Sequence, residues 1–231
     1  FLFSLFYHPH YSREQMWEAH RQWGAKVEST ISPLNPHPIK DSQKRLKIGY
    51  ISPDFRKHSA SHMLDTFLTY HDRQQFEVYC YANVPYPDDY TEKFRQLADH
   101  WHNILGITDE KAADLIHQDH IDILVDPGVG HTSNHRLLVF AYKPAPIQVT
   151  LNMFDLGLQR IDYRISDRFL DPPDQLVPDE VKIHYLSHYF IYSPPKVETP
   201  LRVSLPYEQN GYITFGCFNN FMKINSFVIH T

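Results

Sequence analysis

The sequence predicts an α/β chain whose main part is a Rossmann-like lobe built on a mostly parallel sheet. Short runs such as LKIGYIS and FEVYCYAN are apolar on consecutive residues, the mark of strands buried on both faces. Helical segments stand between them, and 42% hydrophobic residues over 231 positions are enough to fill a core.

Taken in order, residues 1–43 form a helical lead-in and a linker. Ser12 is a plausible N-cap ahead of Glu14, and Met16, Trp17, Ala19, Trp23 and Val27 follow in a helical run. Pro33, Pro36 and Pro38 exclude helix from Ser32 to Ser42, which places a domain boundary near residue 43. The lobe then spans residues 44–210. LKIGYIS is a strand, SHMLDTFLTYH a helix, FEVYCYAN a strand, TEKFRQLADHW and EKAADLIHQD helices, and IDILVD a strand. RLLVFAY reads as a short helix, IQVTLNM and YRISD as strands, and KIHYLSHYFIY as one more strand-like run in a Pro-rich stretch. GYITFGCFNN then opens residues 211–231 as the first strand of a second domain. The chain starts at Phe1 and stops at Thr231 shortly after an apolar run, so both ends are expected to be cuts.

Composition narrows the function. A net charge of −5 lacks the surplus of Lys and Arg that a grip on phosphate backbones requires, so nucleic acid is not an expected partner. No apolar run approaches the roughly 20 residues of a membrane span, and no basic leader or cleavage site marks a secretory signal. Cys80 and Cys217 are far apart, each inside an apolar run, and read as free core thiols of a cytoplasmic protein.

Chemistry is expected at the carboxyl ends of the strands, where open α/β sheets place their clefts. Those ends carry SPDFRKHSASH, DPGVGHTSNH and the DLGLQ turn, so His58 and the segment 128–135 are expected to meet there. No P-loop, GxGxxG, CxxC or GxSxG motif is present. His58/His62, His131/His135 and His184/His188 are four apart, a spacing that on a helix could hold a metal. None has the HExxH pattern, and His184/His188 lies in a strand-like run, so no metal is expected. Asp114 and His117 share a helix face at i,i+3, which fits an orienting carboxylate or an ordinary exposed pair.

Six segments stand in a fixed order: IGYISPDFRKHSASHML, FEVYCYAN, KAADLIHQDHIDILVD, GHTSNHRLLVFAYKPAPIQVT, IDYRISD and YITFGCFNNFMKI. Together they resemble the successive signatures of glycosyltransferase family 41, the O-GlcNAc transferases and their bacterial relatives. FYHPHYSREQMWEAHRQWG is also similar to the helical segment that joins this family's tetratricopeptide (TPR) repeats to its catalytic region. The resemblance implies the N-terminal lobe of a two-lobe GT-B glycosyltransferase, with residues 211–231 as the start of a truncated C-terminal lobe.

The implied activity is inverting, metal-independent transfer of N-acetylglucosamine from UDP-GlcNAc to Ser or Thr hydroxyls of a protein or peptide. UDP-GlcNAc would be a substrate, no cofactor is implied, and upstream TPR repeats are expected. His58 matches the family's active-site histidine, and Asp114 with His117 an Asp/His pair. Asn220 and Lys223 match positions that touch the diphosphate, where a fixed cation would stabilise the leaving group. His131 and Thr132 fall in the GHT turn assigned to substrate binding.

Two segments depart from the pattern. LNMFDLGLQR is shorter than the family's Trp-Leu-Gly-Tyr-Pro-Gly-Thr loop and lacks its Pro-Gly, and DPGVGHT is one residue longer than Asp-Leu-Ser-Gly-His-Thr. The competing reading is a non-catalytic remnant or interaction module that has lost donor binding; a metal-dependent hydrolase using the paired histidines is a distant third.

Overall fold

The computed structural model describes residues 2–39, 41, 44–128, 136–174, 182–189 and 204–230. Two compact units divide the chain, one of residues Trp17–Ser193 and one of Phe1–Met16 with Pro194–Thr231.

The first unit is built on seven parallel strands: β1 (Leu46–Ser52), β2 (Phe76–Ala82), β3 (His100–Asn103), β4 (Ile123–Asp126), β5 (Ile147–Thr150), β6 (Tyr163–Asp167) and β7 (Ile183–Leu186), in the order β3-β2-β1-β4-β5-β6-β7. This is Rossmann-like winding: the chain runs outward from β1 to β3, returns to β4 beside β1, and continues outward to β7. The helices are α1 (Arg13–Thr30), α2 (Ser61–Tyr70), α3 (Asp89–Leu97), α4 (Asp109–Gln118) and α5 (Leu137–Ala141).

Alternation along each strand feeds two cores. Ile48, Tyr50, Val78, Cys80 and Val125 meet Met63, Leu64 and Leu68 of α2 and Phe94 of α3 on one face. Tyr79, Tyr81 and Leu124 meet Ala112, Ala113 and Ile116 of α4, Phe140 of α5, and Trp23 and Val27 of α1 on the other. Strands covered on both faces have no polar side to present, which is why their sequences are continuously apolar.

The helix read through TEKFRQLADHW ends at Leu97. Asp88 caps α3 in a reciprocal box with Thr91, and Ala98 is already extended. Asp99 then turns back as an acceptor for the Val78 N–H at 2.8 Å and for Arg73 at 2.8 Å, which starts β3 at His100.

The boundary expected near residue 43 does not coincide with the edge of the unit. Residues from Trp17 onward belong to the sheet's unit because α1 docks backbone to backbone on the β5–β6 connection. A Cβ on Gly24 would stand 1.7 Å from the Gly157 carbonyl oxygen, and Gly157 itself has φ +76. Arg160 secures the same contact, donating its N–H to Glu28 at 2.9 Å and its guanidinium to the Ile31 carbonyl at 2.9 Å and the Glu28 carbonyl at 3.1 Å.

The second unit contains α6 (Pro206–Asn210), closed by Gly211 at φ +72, a 3-10 turn at Phe221–Lys223, and α7 (Ser226–His230). GYITFGCFNN is not a strand. Tyr212, Ile213, Phe215 and Phe218 are exposed, and no described residue pairs with this run, so the hydrogen bonds that define a strand are missing. Cys80 is buried as expected, and burial pushes its thiol pKa upward. Cys217 is exposed and forms no part of a core. No described helix is long and apolar enough to cross a membrane.

Two outcomes follow. Gly24→Ala forces α1 off the 157 turn and should lower the unfolding free energy of the chain by about 2–3 kcal/mol, the scale of overpacking, in chemical denaturation. For Asp99, burial pushes the carboxyl up, but the Val78 N–H, then Arg73 and Arg45, outweigh it and hold the carboxyl below its ordinary range. A depressed folded-state value adds stability that is complete above the unfolded-state pKa and lost as pH falls through the folded one. Asp99→Asn should therefore lower stability at neutral pH and flatten the acid limb below about pH 4, where the unfolded carboxyl titrates.

Candidate active site

The winding reverses between β1 and β4, so the crevice of this sheet lies at their carboxyl ends. Four neighbouring strands finish there on buried polar side chains or lead straight into them: Ser52 of β1, Asn83 after β2, Asp126 of β4, and Thr150 and Asn152 at the end of β5.

Asp126 ties two of these strand ends together. Its Oδ2 accepts from the Thr150 hydroxyl at 2.8 Å and the Asn152 amide at 2.7 Å, and its Oδ1 accepts from the Gly128 N–H at 3.2 Å. Gly128 is at φ +58, and a Cβ there would stand 2.4 Å from the Asn152 nitrogen. Only glycine fits where these two connections leave the sheet.

His58 lies in the loop between β1 and α2, which is fixed at several points. Phe55 is fully buried against Phe94 and Trp101. The Asp54 N–H donates to Ser52 Oγ at 3.0 Å, and the Lys57 N–H donates to Asp88 at 2.7 Å. The His58 carbonyl accepts from the Ser61 hydroxyl at 2.5 Å. The ring is a quarter exposed, and its Nδ1 lies 3.2 Å from the Ala60 N–H, where it accepts. Asp54 Oδ1 lies 3.6 Å from the same nitrogen, beyond hydrogen-bond length. A neutral ring that accepts at Nδ1 carries its proton on Nε2 and presents a donor to whatever binds beside it.

Asp114 and His117 are on α4, but the structure does not bring them to His58. α4 starts beyond the carboxyl end of β3 and runs back to the opposite edge. Just past its end the Asp119 carbonyl accepts from Lys47, the second residue of β1, at 2.9 Å. From Lys47 to Ser52 the strand covers about 16 Å. Asp114 is exposed, and His117 stacks on His37 at 4.7 Å with its Nδ1 buried and without a hydrogen-bond partner among the described residues. The two residues share α4 at i,i+3, and among the described residues no hydrogen bond, ion pair or ring contact joins either of them to His58.

Asn220 and Lys223 belong to the second unit, where Lys223 is exposed and donates to Asn219 at 3.2 Å. His131 and Thr132 lie outside the described residues, as does all of 128–135 beyond Gly128. Among the described residues no group of three or more His, Cys, Asp or Glu side chains could hold a metal. Sequence reasoning missed Asp126, Asn152 and Arg136. The only available signal for Asp126 was a carboxylate ending an apolar run. Arg136 pairs with Asp109 and donates to the Ile104 and Ile107 carbonyls at 3.2 and 2.9 Å, clamping the chain before α5 onto the start of α4.

Comparison with known proteins places this geometry in context. The model of a family described as Glycosyl transferase family 41 matches residues 24–196. The probable UDP-N-acetylglucosamine–peptide N-acetylglucosaminyltransferase SPINDLY of Arabidopsis thaliana is 37% identical over 227 residues, covering 94% of this chain and 24% of that protein. Its Petunia hybrida counterpart is 35% identical over 225 residues, with 94% and 24% covered. The probable UDP-N-acetylglucosamine–peptide N-acetylglucosaminyltransferase SEC of Arabidopsis thaliana is 30% identical over 200 residues, 81% of this chain and 20% of that one. The chain thus spans about a quarter of the length of these curated relatives. Among solved structures, a lysine-to-methionine mutant of the O-GlcNAc transferase of Thermobaculum terrenum superposes with TM-score 0.86 at 32% identity, covering 99% of this chain and 44% of that one.

Asp126→Ala leaves the Thr150 hydroxyl and Asn152 amide without their buried acceptor. It should lower the unfolding free energy by about 2–4 kcal/mol and speed hydrogen exchange at Asn152. Nitrogen NMR of the neutral His58 ring should find the proton on Nε2; a proton on Nδ1 would contradict the Ala60 contact.

Proposed function

Since this chain belongs to glycosyl transferase family 41, we propose that it forms the first lobe of an enzyme transferring N-acetylglucosamine from UDP-GlcNAc to protein Ser or Thr hydroxyls. The observation that carries the reading is the family match across residues 24–196, on a Rossmann-like lobe with His58 at its topological switch point. The activities for which the SPINDLY and SEC relatives and the Thermobaculum terrenum enzyme are named support it.

In this reading the acceptor hydroxyl oxygen forms a bond to the anomeric carbon while the bond to the UDP oxygen breaks, in one inverting step without metal. The hydroxyl proton is lost and UDP takes up negative charge. The Nε2–H of His58 donates to a sugar or acceptor oxygen and fixes its position; in this tautomer it does not take the proton. Asn220 and Lys223 would meet the diphosphate, where a preorganised cation is worth most. The GHT turn with His131 and Thr132 would border the substrates. Asp114 and His117, on α4, would serve as the Asp/His pair that the resemblance implies only if the complete protein brings them to the substrates. The complete protein would be cytoplasmic and carry TPR repeats ahead of this lobe.

The test is to extend this chain with the C-terminal region of a family member and assay transfer of labelled N-acetylglucosamine to an acceptor peptide. Transfer should appear, and Lys223→Ala should lower its rate about a hundredfold, the usual effect of removing one group that stabilises developing charge. The 231-residue chain alone should bind UDP-GlcNAc weakly and transfer nothing. A folded extended protein that binds donor yet transfers no sugar would favour the non-catalytic reading.

A further inference from the structure

The β1–α2 loop sets two groups against one ring nitrogen of His58. The Ala60 N–H lies 3.2 Å from Nδ1, and Asp54 Oδ1 lies 3.6 Å from it. Their demands are opposite. Ala60 needs a lone pair on Nδ1, whereas a carboxylate oxygen needs a proton there.

Asp54 is 2% exposed and stands four residues before His58. Its N–H donates to Ser52 Oγ at 3.0 Å, and the next residue, Phe55, is fully buried, so the carboxylate is placed from the end of β1. The His58 ring is a quarter exposed and so open to solvent protons.

The other charges around the ring do not favour its protonation. α2 begins at Ser61, whose N–H donates to the His58 carbonyl at 3.0 Å beside the Ala60 contact. The positive end of a helix dipole disfavours an imidazolium. Arg56 and Lys57 precede His58 in the loop, and His62 follows it on α2. On α3, the Asp88 carboxylate is taken by the N–H groups of Lys57 at 2.7 Å and Thr91 at 3.0 Å. Among the described residues Asp54 is the one carboxylate within ion-pair distance of the His58 ring.

We propose that Asp54 is a positioning residue: it receives the Nδ1–H of the charged His58 ring, so that Nε2–H stays a donor whether the ring is neutral or charged. In the neutral ring Ala60 holds Nδ1 and the proton is on Nε2. Once Nδ1 takes a proton from solvent, the Ala60 N–H has no lone pair to meet. A small turn of the ring then closes the 3.6 Å to Asp54 to the roughly 2.8 Å of a charge-assisted contact. Both states leave Nε2–H in place. The oxygen it meets is an acceptor in each, as on the sugar or the diphosphate. The use of that donor in catalysis rests on the glycosyl-transfer reading; the pairing of Asp54 with the ring does not.

Ring nitrogen NMR of the 231-residue chain from about pH 8 to about pH 5, across the ordinary imidazole range, reads this directly. Nε2 should stay protonated throughout while Nδ1 gains its proton. The Nδ1–H should exchange with water about tenfold more slowly than the ring N–H groups of the exposed His62, the scale of one charge-assisted hydrogen bond. Asp54→Asn, which keeps the side-chain shape, should abolish that protection. In the unmodified chain the Asp54 carboxyl carbon should shift in step with the ring, a reading that needs no variant. In the extended transferase, the ratio of unmodified to Asp54→Asn kcat/KM should rise about tenfold from about pH 8 to about pH 5.5, whereas a merely structural defect would leave that ratio flat. Loss of the Nε2 proton, an Nδ1–H exchanging as fast as those of His62, an Asp54 carbon indifferent to the ring, or protection that survives in Asp54→Asn would overturn the proposal. A protected Nδ1–H in a chain whose extended form transfers no sugar would uphold the Asp54 pairing and remove the transfer reading instead.

Discussion

A parallel sheet with apolar side chains on both faces cannot stand in water on either, and the architecture of this chain follows from the need to cover the second face. α2 and α3 close one side over Val78, Cys80 and Val125. The other side depends on α4 and α5, with α1 arriving from ahead of the Pro-rich segment. α1 reaches its place only because Gly24 and Gly157 let two backbones approach closer than any side chain permits. Arg160 then gathers the Ile31 and Glu28 carbonyls at that junction, leaving the helix end satisfied where it is covered.

Covering both faces also decides where chemistry can occur. The helices bury the flat sides of the sheet, so the strand ends are what remains accessible, and polar residues there must be satisfied by one another. Asp126 meets this demand for two strands at once, binding Thr150, Asn152 and Gly128. The His58 loop meets it separately, through Ser52, Asp88 and Ser61. The Asp126 bonds and the Ser52 bond are buried at strand ends, so the loops above them start from fixed positions.

The strands could be read from the sequence because burial on both faces leaves a continuous apolar run, as in FEVYCYAN. His100 starts β3 where a helix was expected, because the acceptor that ends α3 and begins the strand, Asp99, gives no periodic signal. GYITFGCFNN has the composition of a strand, yet a strand depends on a neighbour and composition cannot provide one. The Gly24–Gly157 contact joins residues far apart in the chain, so the Pro-rich linker looked like a boundary when α1 was already part of the fold. At the site, the switch-point edge and the β1–α2 loop that carries His58 were legible from strand order. The position of Asp114 and His117 was less so. Spacing tells which residues share a helix face, but the direction in which the helix runs tells which edge of the sheet they reach, and a helix between parallel strands always returns to the amino edge.

That direction constrains the chemistry further. In the proposed reaction, transfer to a hydroxyl would release one proton for each sugar moved, for a group near the acceptor to take. His58, with Nδ1 accepting from Ala60, offers a proton at Nε2 instead of a lone pair, and turning the ring to reverse this would break the contact that holds it. His117 has an open Nδ1, but it lies beside His37 at the amino edge. Asp126, the buried carboxylate at the right edge, has both oxygens committed to holding the two loops. In the proposed reaction, then, His58 would orient a substrate oxygen by donation, and the group that takes the proton would be one other than His58 Nε2 or Asp126.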